Sequence, residues 1–132
     1  HPAGIEARVR DIPGVAEVLL VADGRPWVSA VVWLKELSAT AADLARLDGE
    51  VRRVNNGLSR PERVKRWVVL AEPLSIENGE LTGNLKIRRQ AVLARRAAVV
   101  EMLYGREPRR NDSPDEPAQP VGVLHVGASR CA

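Results

Sequence analysis

The sequence predicts a small α+β domain: mostly antiparallel strands in two hairpins, packed with about three helices. Three observations carry this prediction. Two short apolar runs, Val15 to Ala22 and Trp27 to Leu34, flank the turn residues Asp23-Gly24-Arg25-Pro26. Two longer segments, one ending near Asn56 and one running from about Ile87 to Tyr104, repeat apolar residues at three- and four-residue spacing. Asn78-Gly79 lies between two short β-prone runs, and both positions of that pair favour the positive φ of a tight hairpin turn.

The chain's 132 residues suffice for one modest core, and 45% of them are hydrophobic. No long uncharged apolar run predicts a membrane span, and no signal-peptide pattern is present. The single cysteine, Cys131, excludes an internal disulfide and a cysteine-based zinc site; it fits a reducing compartment, so a cytoplasmic location is expected. The formal net charge is +3. Its excess lies around residues 60 to 66 and 86 to 96, clusters that suit phosphate-bearing partners or simply form a solvated basic face.

Taken in order, Pro2 to Asp11 reads as a short helix with Ile5, Val9 and Ile12 on one face, ended by Pro13-Gly14. The two strands that follow are nearly continuous apolar runs, which predicts cover on both faces. Trp27 and Trp33 share a strand face by parity and are expected in the core. Ser38 or Thr40 caps a helix to about Asn56, whose stripe is Leu44, Leu47, Val51 and Val54. Ser59-Arg60-Pro61-Glu62 fits a capping box opening a single turn through Lys65, before a strand from Trp67 to Leu70. The last helix buries Val92, Leu93, Ala97, Val100, Leu103 and Tyr104, and leaves Arg88, Arg89, Arg95 and Arg96 largely outside the stripe. Gly105 stops it. Arg106 to Pro120 reads as disordered, and Val121 to Val126 is only weakly strand-like.

The chemistry-bearing candidate is Lys86. A returning strand, Glu80 to Thr82, runs into the flexible pair Gly83-Asn84, and the lysine follows. The implied geometry is a hairpin that carries one lysine out on a short loop, braced from behind by a helix. Of 20 basic residues only Lys35, Lys65 and Lys86 are lysines. A lysine is a compact point charge with three rotatable donors, suited to one narrow cluster of oxygens. Lys35 and Lys65 read as ordinary surface residues, and Thr82 as a strand residue. His1 and His125 have no partner at catalytic or metal-ligand spacing, so no metal site is predicted.

Glu80-Leu81-Thr82-x-x-Leu85-Lys86-x-x-Arg89 resembles the C-terminal signature of adenylate-forming (AMP-binding) enzymes, closest to long-chain acyl-CoA synthetases. Val54-Asn55-x-x-Leu58, Glu62-x-Val64-Lys65-Arg66-Trp67 and Leu103-Tyr104 belong to the same pattern, as do Pro2-Ala3-Gly4-Ile5-Glu6, Pro13-x-Val15 and Gly24-Arg25-Pro26. The likeness covers roughly residues 2 to 105. One departure is Gly83, where the family usually has proline after Leu-Thr; it should loosen the loop without removing the lysine.

The resemblance implies that residues 1–105 are the mobile lid of a larger acyl-activating enzyme and 106–132 a disordered tail. The first residue, His1, fits a piece of a longer chain. Such enzymes join a fatty acid or other carboxylic acid to AMP, with release of pyrophosphate, and then let the thiol of coenzyme A displace the AMP. Lys86 would be the catalytic cation of the first step, in contact with ATP. Arg88 would steer coenzyme A phosphates, although an arginine at a helix start is also commonly solvated. ATP, coenzyme A and Mg are the implied cofactors, with Mg held by the preceding large domain. That adenylation domain is the implied partner, and any peripheral membrane contact would run through it. Three other readings stand beside this one: a lid that loads a carrier protein, a domain docking on a separate adenylating subunit, and a non-enzymatic basic module. The last lacks the exposed aromatics that nucleic-acid binding uses, so no nucleic acid is expected.

Overall fold

The structure, a computed structural model, describes residues 2–36, 39–104 and 119–124. A helix, α1 (Pro2–Arg10), leads into an antiparallel pair, β1 (Val15–Val21) and β2 (Val28–Leu34), in register from Glu17 opposite Trp33 to Val21 opposite Ser29. Their turn closes with the Arg25 amide donating to the Ala22 carbonyl at 3.0 Å, and Gly24 takes a φ of 68° that a side chain would resist. Next comes α2 (Ala41–Asn56), capped as expected by Thr40: its hydroxyl accepts from the Asp43 amide at 3.1 Å and the Asp43 carboxylate accepts from the Thr40 amide at 3.0 Å. Ser38, the other candidate cap, lies outside the described residues.

The expected turn through Lys65 is shorter. A 3-10 turn, Arg60–Glu62, ends where Arg63 becomes extended, and β3 (Val64–Leu70) begins three residues earlier than predicted. Lys65 is consequently a residue of an interior strand, 4% exposed, and not a surface lysine. The long last helix is two helices, α3 (Arg89–Arg95) and α4 (Ala97–Tyr104).

The domain is α+β as predicted, but its sheet is mixed rather than mostly antiparallel. The strand order is β1-β2-β3-β4, with β4 (Gln119–Leu124) last. Only β1 and β2 are antiparallel; β2, β3 and β4 run parallel. Topology explains this. A whole helix, α2, intervenes between β2 and β3 and returns the chain to the same end of the sheet, the geometry a parallel pair needs. The segment holding α3 and α4 does the same before β4. Residues 119–124 thus pair in the sheet, where Gln119 and Pro120 were expected to be disordered and Val121 to Leu124 only weakly strand-like within a disordered tail; 105–118 and 125–132 lie outside the described residues.

Cover on both faces is borne out. On one, Ile5 and Val9 of α1 and Leu47 and Val51 of α2 pack on Val18, Leu20, Ala30, Val32, Trp67 and Val69. On the other, Val92 of α3 and Val99, Val100 and Leu103 of α4 pack on Leu19, Val21, Val31, Trp33, Val68 and Leu70. Trp33 is core, whereas Trp27 precedes β2, is half-buried, and stacks on Tyr104 with ring centroids 5.3 Å apart.

Candidate functional site

The finger between β3 and α3 is built in two turns. In the first, the Gly79 amide donates to the Ile76 carbonyl at 3.0 Å, with Gly79 at φ 83°. The Asn78 carboxamide oxygen accepts from the Glu80 amide at 3.1 Å, and the Ser75 hydroxyl from the Asn78 amide at 3.2 Å. Asn78-Gly79 is therefore a turn, as its residue types demand, but not the tip of the expected hairpin. The Ser75 carbonyl accepts from the amides of both Glu80 and Leu81, at 3.2 and 3.1 Å, so the chain folds back on one residue and no strand pairs before it.

Pairing comes after Glu80. Leu81 and Ile87 form an antiparallel bridge, the Thr82 amide donates to the Lys86 carbonyl at 2.8 Å, and the Arg88 amide to the Glu80 carbonyl at 2.8 Å. The tip is Thr82-Gly83-Asn84-Leu85, closed by the Leu85 amide on the Thr82 carbonyl at 2.8 Å. Thr82 does more than a strand residue would: its hydroxyl also accepts from the Lys86 amide at 3.1 Å. Leu85 takes a φ of 65° while 67% exposed, a left-handed conformation that branched side chains avoid.

Lys86 thus has both backbone polar groups held, and its side chain is exposed. Among the described residues nothing pairs with its ammonium. Arg88 is also exposed, and one guanidinium N–H braces the first turn at the Gly79 carbonyl, 3.2 Å away. Arg89 turns away from the tip to the edge of the sheet, donating to the Leu20 carbonyl at 2.9 Å and the Glu6 carboxylate at 2.7 Å. That carboxylate accepts from the Leu20 amide at 2.8 Å, so the edge strand β1 has a buried acid on it.

Behind the finger lies what the sequence reading missed. Arg96 is 3% exposed and Glu80 0%. The Arg96 guanidinium grips the carboxylate with two parallel bonds, Nε to Oε2 at 2.6 Å and Nη2 to Oε1 at 2.9 Å. Arg96 was expected outside the stripe, yet it stands four residues after Val92 and four before Val100, on the stripe itself. That position was the available sign. An arginine there needs a buried acid, and nothing local names Glu80. Alongside, Arg95 donates to Glu72 at 2.9 Å; this hydrogen bond holds the Glu72 carboxyl below its ordinary value.

Two depressions flank this region. A cleft of about 590 Å³ is lined by Ala22, Arg25, Arg89, Leu93, Ala97 and Glu101, with charges of both signs and no nucleophile beside a base. An apolar groove of about 230 Å³ runs between Trp33, Leu70, Leu74, Leu81 and Leu85. The Tyr104 hydroxyl shares its one proton between the Val21 and Trp27 carbonyls, at 3.0 and 2.7 Å, and burial pushes its phenol up. Among the described residues no group of three or more histidine, cysteine, aspartate or glutamate residues could hold a metal; His1 and His125 lie outside them. No described helix is long and apolar enough to cross a membrane. What the site can do chemically is present one ammonium on a held backbone.

Residues 1–108 match the family described as AMP-binding enzyme C-terminal domain. The long-chain-fatty-acid–CoA ligase FadD15 of Mycobacterium tuberculosis is 25% identical over 126 residues, covering 80% of this chain and 21% of that protein. The long-chain-fatty-acid–CoA ligase ACSBG1 of Bos taurus is 31% identical over 87 residues, covering 65% of this chain and 11% of its own. The chain therefore spans about a fifth or less of these curated relatives. Among solved structures, the A-PCP didomain of carboxylic acid reductase from Segniliparus rugosus, in complex with AMP, superposes with a TM-score of 0.67 at 24% identity over 79% of this chain and 16% of that one. The adenylation domain of the Mycobacterium chelonae carboxylate reductase superposes with a TM-score of 0.68 at 20% identity, over 79% of this chain and 18% of its own.

Proposed function

Because the chain belongs to the AMP-binding enzyme C-terminal domain family, we propose that it is the mobile lid of an ATP-dependent fatty acid–CoA ligase, with Lys86 as the cation of the adenylation step. One observation carries the reading: the Lys86 side chain is exposed, and among the described residues unpaired, at the end of a finger whose backbone is hydrogen-bonded on both strands. The names of the curated relatives, long-chain-fatty-acid–CoA ligases, support the substrate class.

The chemistry asks for such a group. A carboxylate oxygen attacks the α-phosphorus of ATP, a P–O bond to pyrophosphate breaks, and an acyl-adenylate forms. Two anions must meet and charge crowds at phosphorus. A positioned ammonium offsets that repulsion and orients the reacting oxygens. A thiol then attacks the acyl carbon and AMP leaves. A lid that carries the lysine in for the first step and out for the second would order the two and keep water from the adenylate.

The residues present fit a polyphosphate at Lys86 and, through the exposed donors of Arg88, a phosphate of coenzyme A. Among the described residues no acidic or histidine cluster fits Mg, which we assign to the large adenylation domain. The likeness to carboxylic acid reductase adenylation domains is one of fold, so it does not choose between free coenzyme A and a carrier-bound thiol. Lys86→Ala in the whole enzyme tests the reading. Pyrophosphate exchange into ATP should fall about 100-fold or more, with thioester formation from supplied acyl-adenylate retained. Equal loss of both half-reactions would overturn it.

A further inference from the structure

The Glu80–Arg96 pair is costly twice over. Two charges are taken out of water, where an apolar pair of similar volume would often serve stability as well. The last helix is also interrupted at Arg96, whose backbone sits at φ −108° and ψ 34° between α3 and α4. What a two-bond grip adds over apolar packing is direction. Here the direction is imposed on the root of the finger. The Glu80 carbonyl accepts from the Arg88 amide and its amide donates to the Ser75 carbonyl, so Glu80 belongs to both turns. Arg96 reaches the other end of the same segment as well, donating to the Pro73 carbonyl at 3.3 Å. Its guanidinium lies 5.4 Å over the Trp33 ring, and the Trp33 indole N–H donates to the Glu72 carbonyl at 3.0 Å. The segment 72–80 is thereby clamped at both ends by one arginine seated on the sheet.

We propose that Glu80 and Arg96 are positioning residues for Lys86, fixing the angle at which the finger leaves the domain. The inference rests on the reading of Lys86 given above. It separates the pair from residues that only hold the fold together: Glu80 acts through Lys86, and has no other task in the reaction.

The test uses the whole enzyme and three single variants. Glu80→Gln keeps the shape and removes the charge. Arg96→Lys keeps the charge and loses the fork. Lys86→Ala is the reference. The first two should each lower kcat for adenylation about 10- to 100-fold, the cost of a misplaced group, while thiol transfer from supplied acyl-adenylate stays within about twofold. Glu80→Gln combined with Lys86→Ala should be no slower than Lys86→Ala alone, since a residue acting through another has nothing further to lose. Amide exchange should quicken at Thr82, Leu85, Lys86 and Arg88 and stay unchanged in β1 to β3.

Multiplying losses in the double variant, or faster exchange across the whole domain with both half-reactions impaired, would assign the pair a structural role and overturn the proposal. So would unaffected adenylation in Glu80→Gln and Arg96→Lys when Lys86→Ala is crippled, an outcome that leaves the reading of Lys86 standing. If Lys86→Ala itself adenylates normally, that reading falls and this one with it.

Discussion

The two faces of the sheet are held by different physics. Under α1 and α2 the contact is mainly apolar, with Val9, Leu47, Val51 and Trp67 at 0 or 1% exposure. The buried Asn55 carboxamide there is satisfied by the Val64 amide at 2.8 Å and the Val64 carbonyl at 2.9 Å. The face under the finger has an apolar floor too, but its upper layer is ionic: Glu80 with Arg96, Glu72 with Arg95, and Glu6 with Arg89 at the edge. Apolar burial is strong and non-directional, so it sets whether the domain folds. Paired charges add little net energy but have one geometry, so they set where an attached loop points. The difference places stability on one face and aim on the other.

Truncation on the first face should have the largest energetic effect. Leu47→Ala is expected to destabilise the chain by about 2–5 kcal/mol in urea unfolding, while leaving the finger's amide protection to collapse only with the whole. Selective loss at 80–88 would erase the contrast. Lys86→Ala is its complement: stability should stay within about 0.5 kcal/mol of the parent, despite the large loss of adenylation expected above. At the tip, Leu85 stands in a left-handed conformation with most of its surface in water. Leu85→Gly should therefore raise stability, by up to about 1 kcal/mol; a clear loss would mean that the side chain's contacts in the apolar groove outweigh the backbone strain.

The smallest effect belongs to the outer ion pair. The Glu72 carboxyl lies below its ordinary value of 4.5, first because Arg95 donates a hydrogen bond to its charged form. A depressed folded value means stability present above 4.5 and lost as the pH falls through the lower folded value. Glu72→Gln should accordingly cost about 0.5 kcal/mol or less at neutral pH and flatten the acid limb of a stability–pH curve. An unchanged limb would show that the pair contributes nothing outside its geometry.

Much of the fold was legible. α1, the β1–β2 hairpin, α2 with its Thr40 cap and the strand through Trp67 to Leu70 follow from period, turn residues and caps, all of which act within a few residues. The exposure of Lys86 was legible for the same reason, since Gly83-Asn84 demanded a turn beside it. Asn78-Gly79 misled in part: the pair does make a turn, but Ser75 takes up the amides that a hairpin partner would have used. β4 was only faintly legible, as the weakly strand-like Val121 to Val126, because Gln119–Leu124 is short and its pairing depends on a strand already in place.

The sequence by itself determined α1, the first hairpin, α2 and the middle of β3, and that one lysine stands beside a flexible turn, because those properties reside in neighbouring residues. Only the tertiary structure decided that the strands after the first hairpin run parallel, since that depends on α2 crossing a face. It also decided that Glu80 and Arg96, sixteen positions apart, meet in the interior. An arginine on an apolar stripe announces a need for a partner, but which acid answers depends on where the chain folds back.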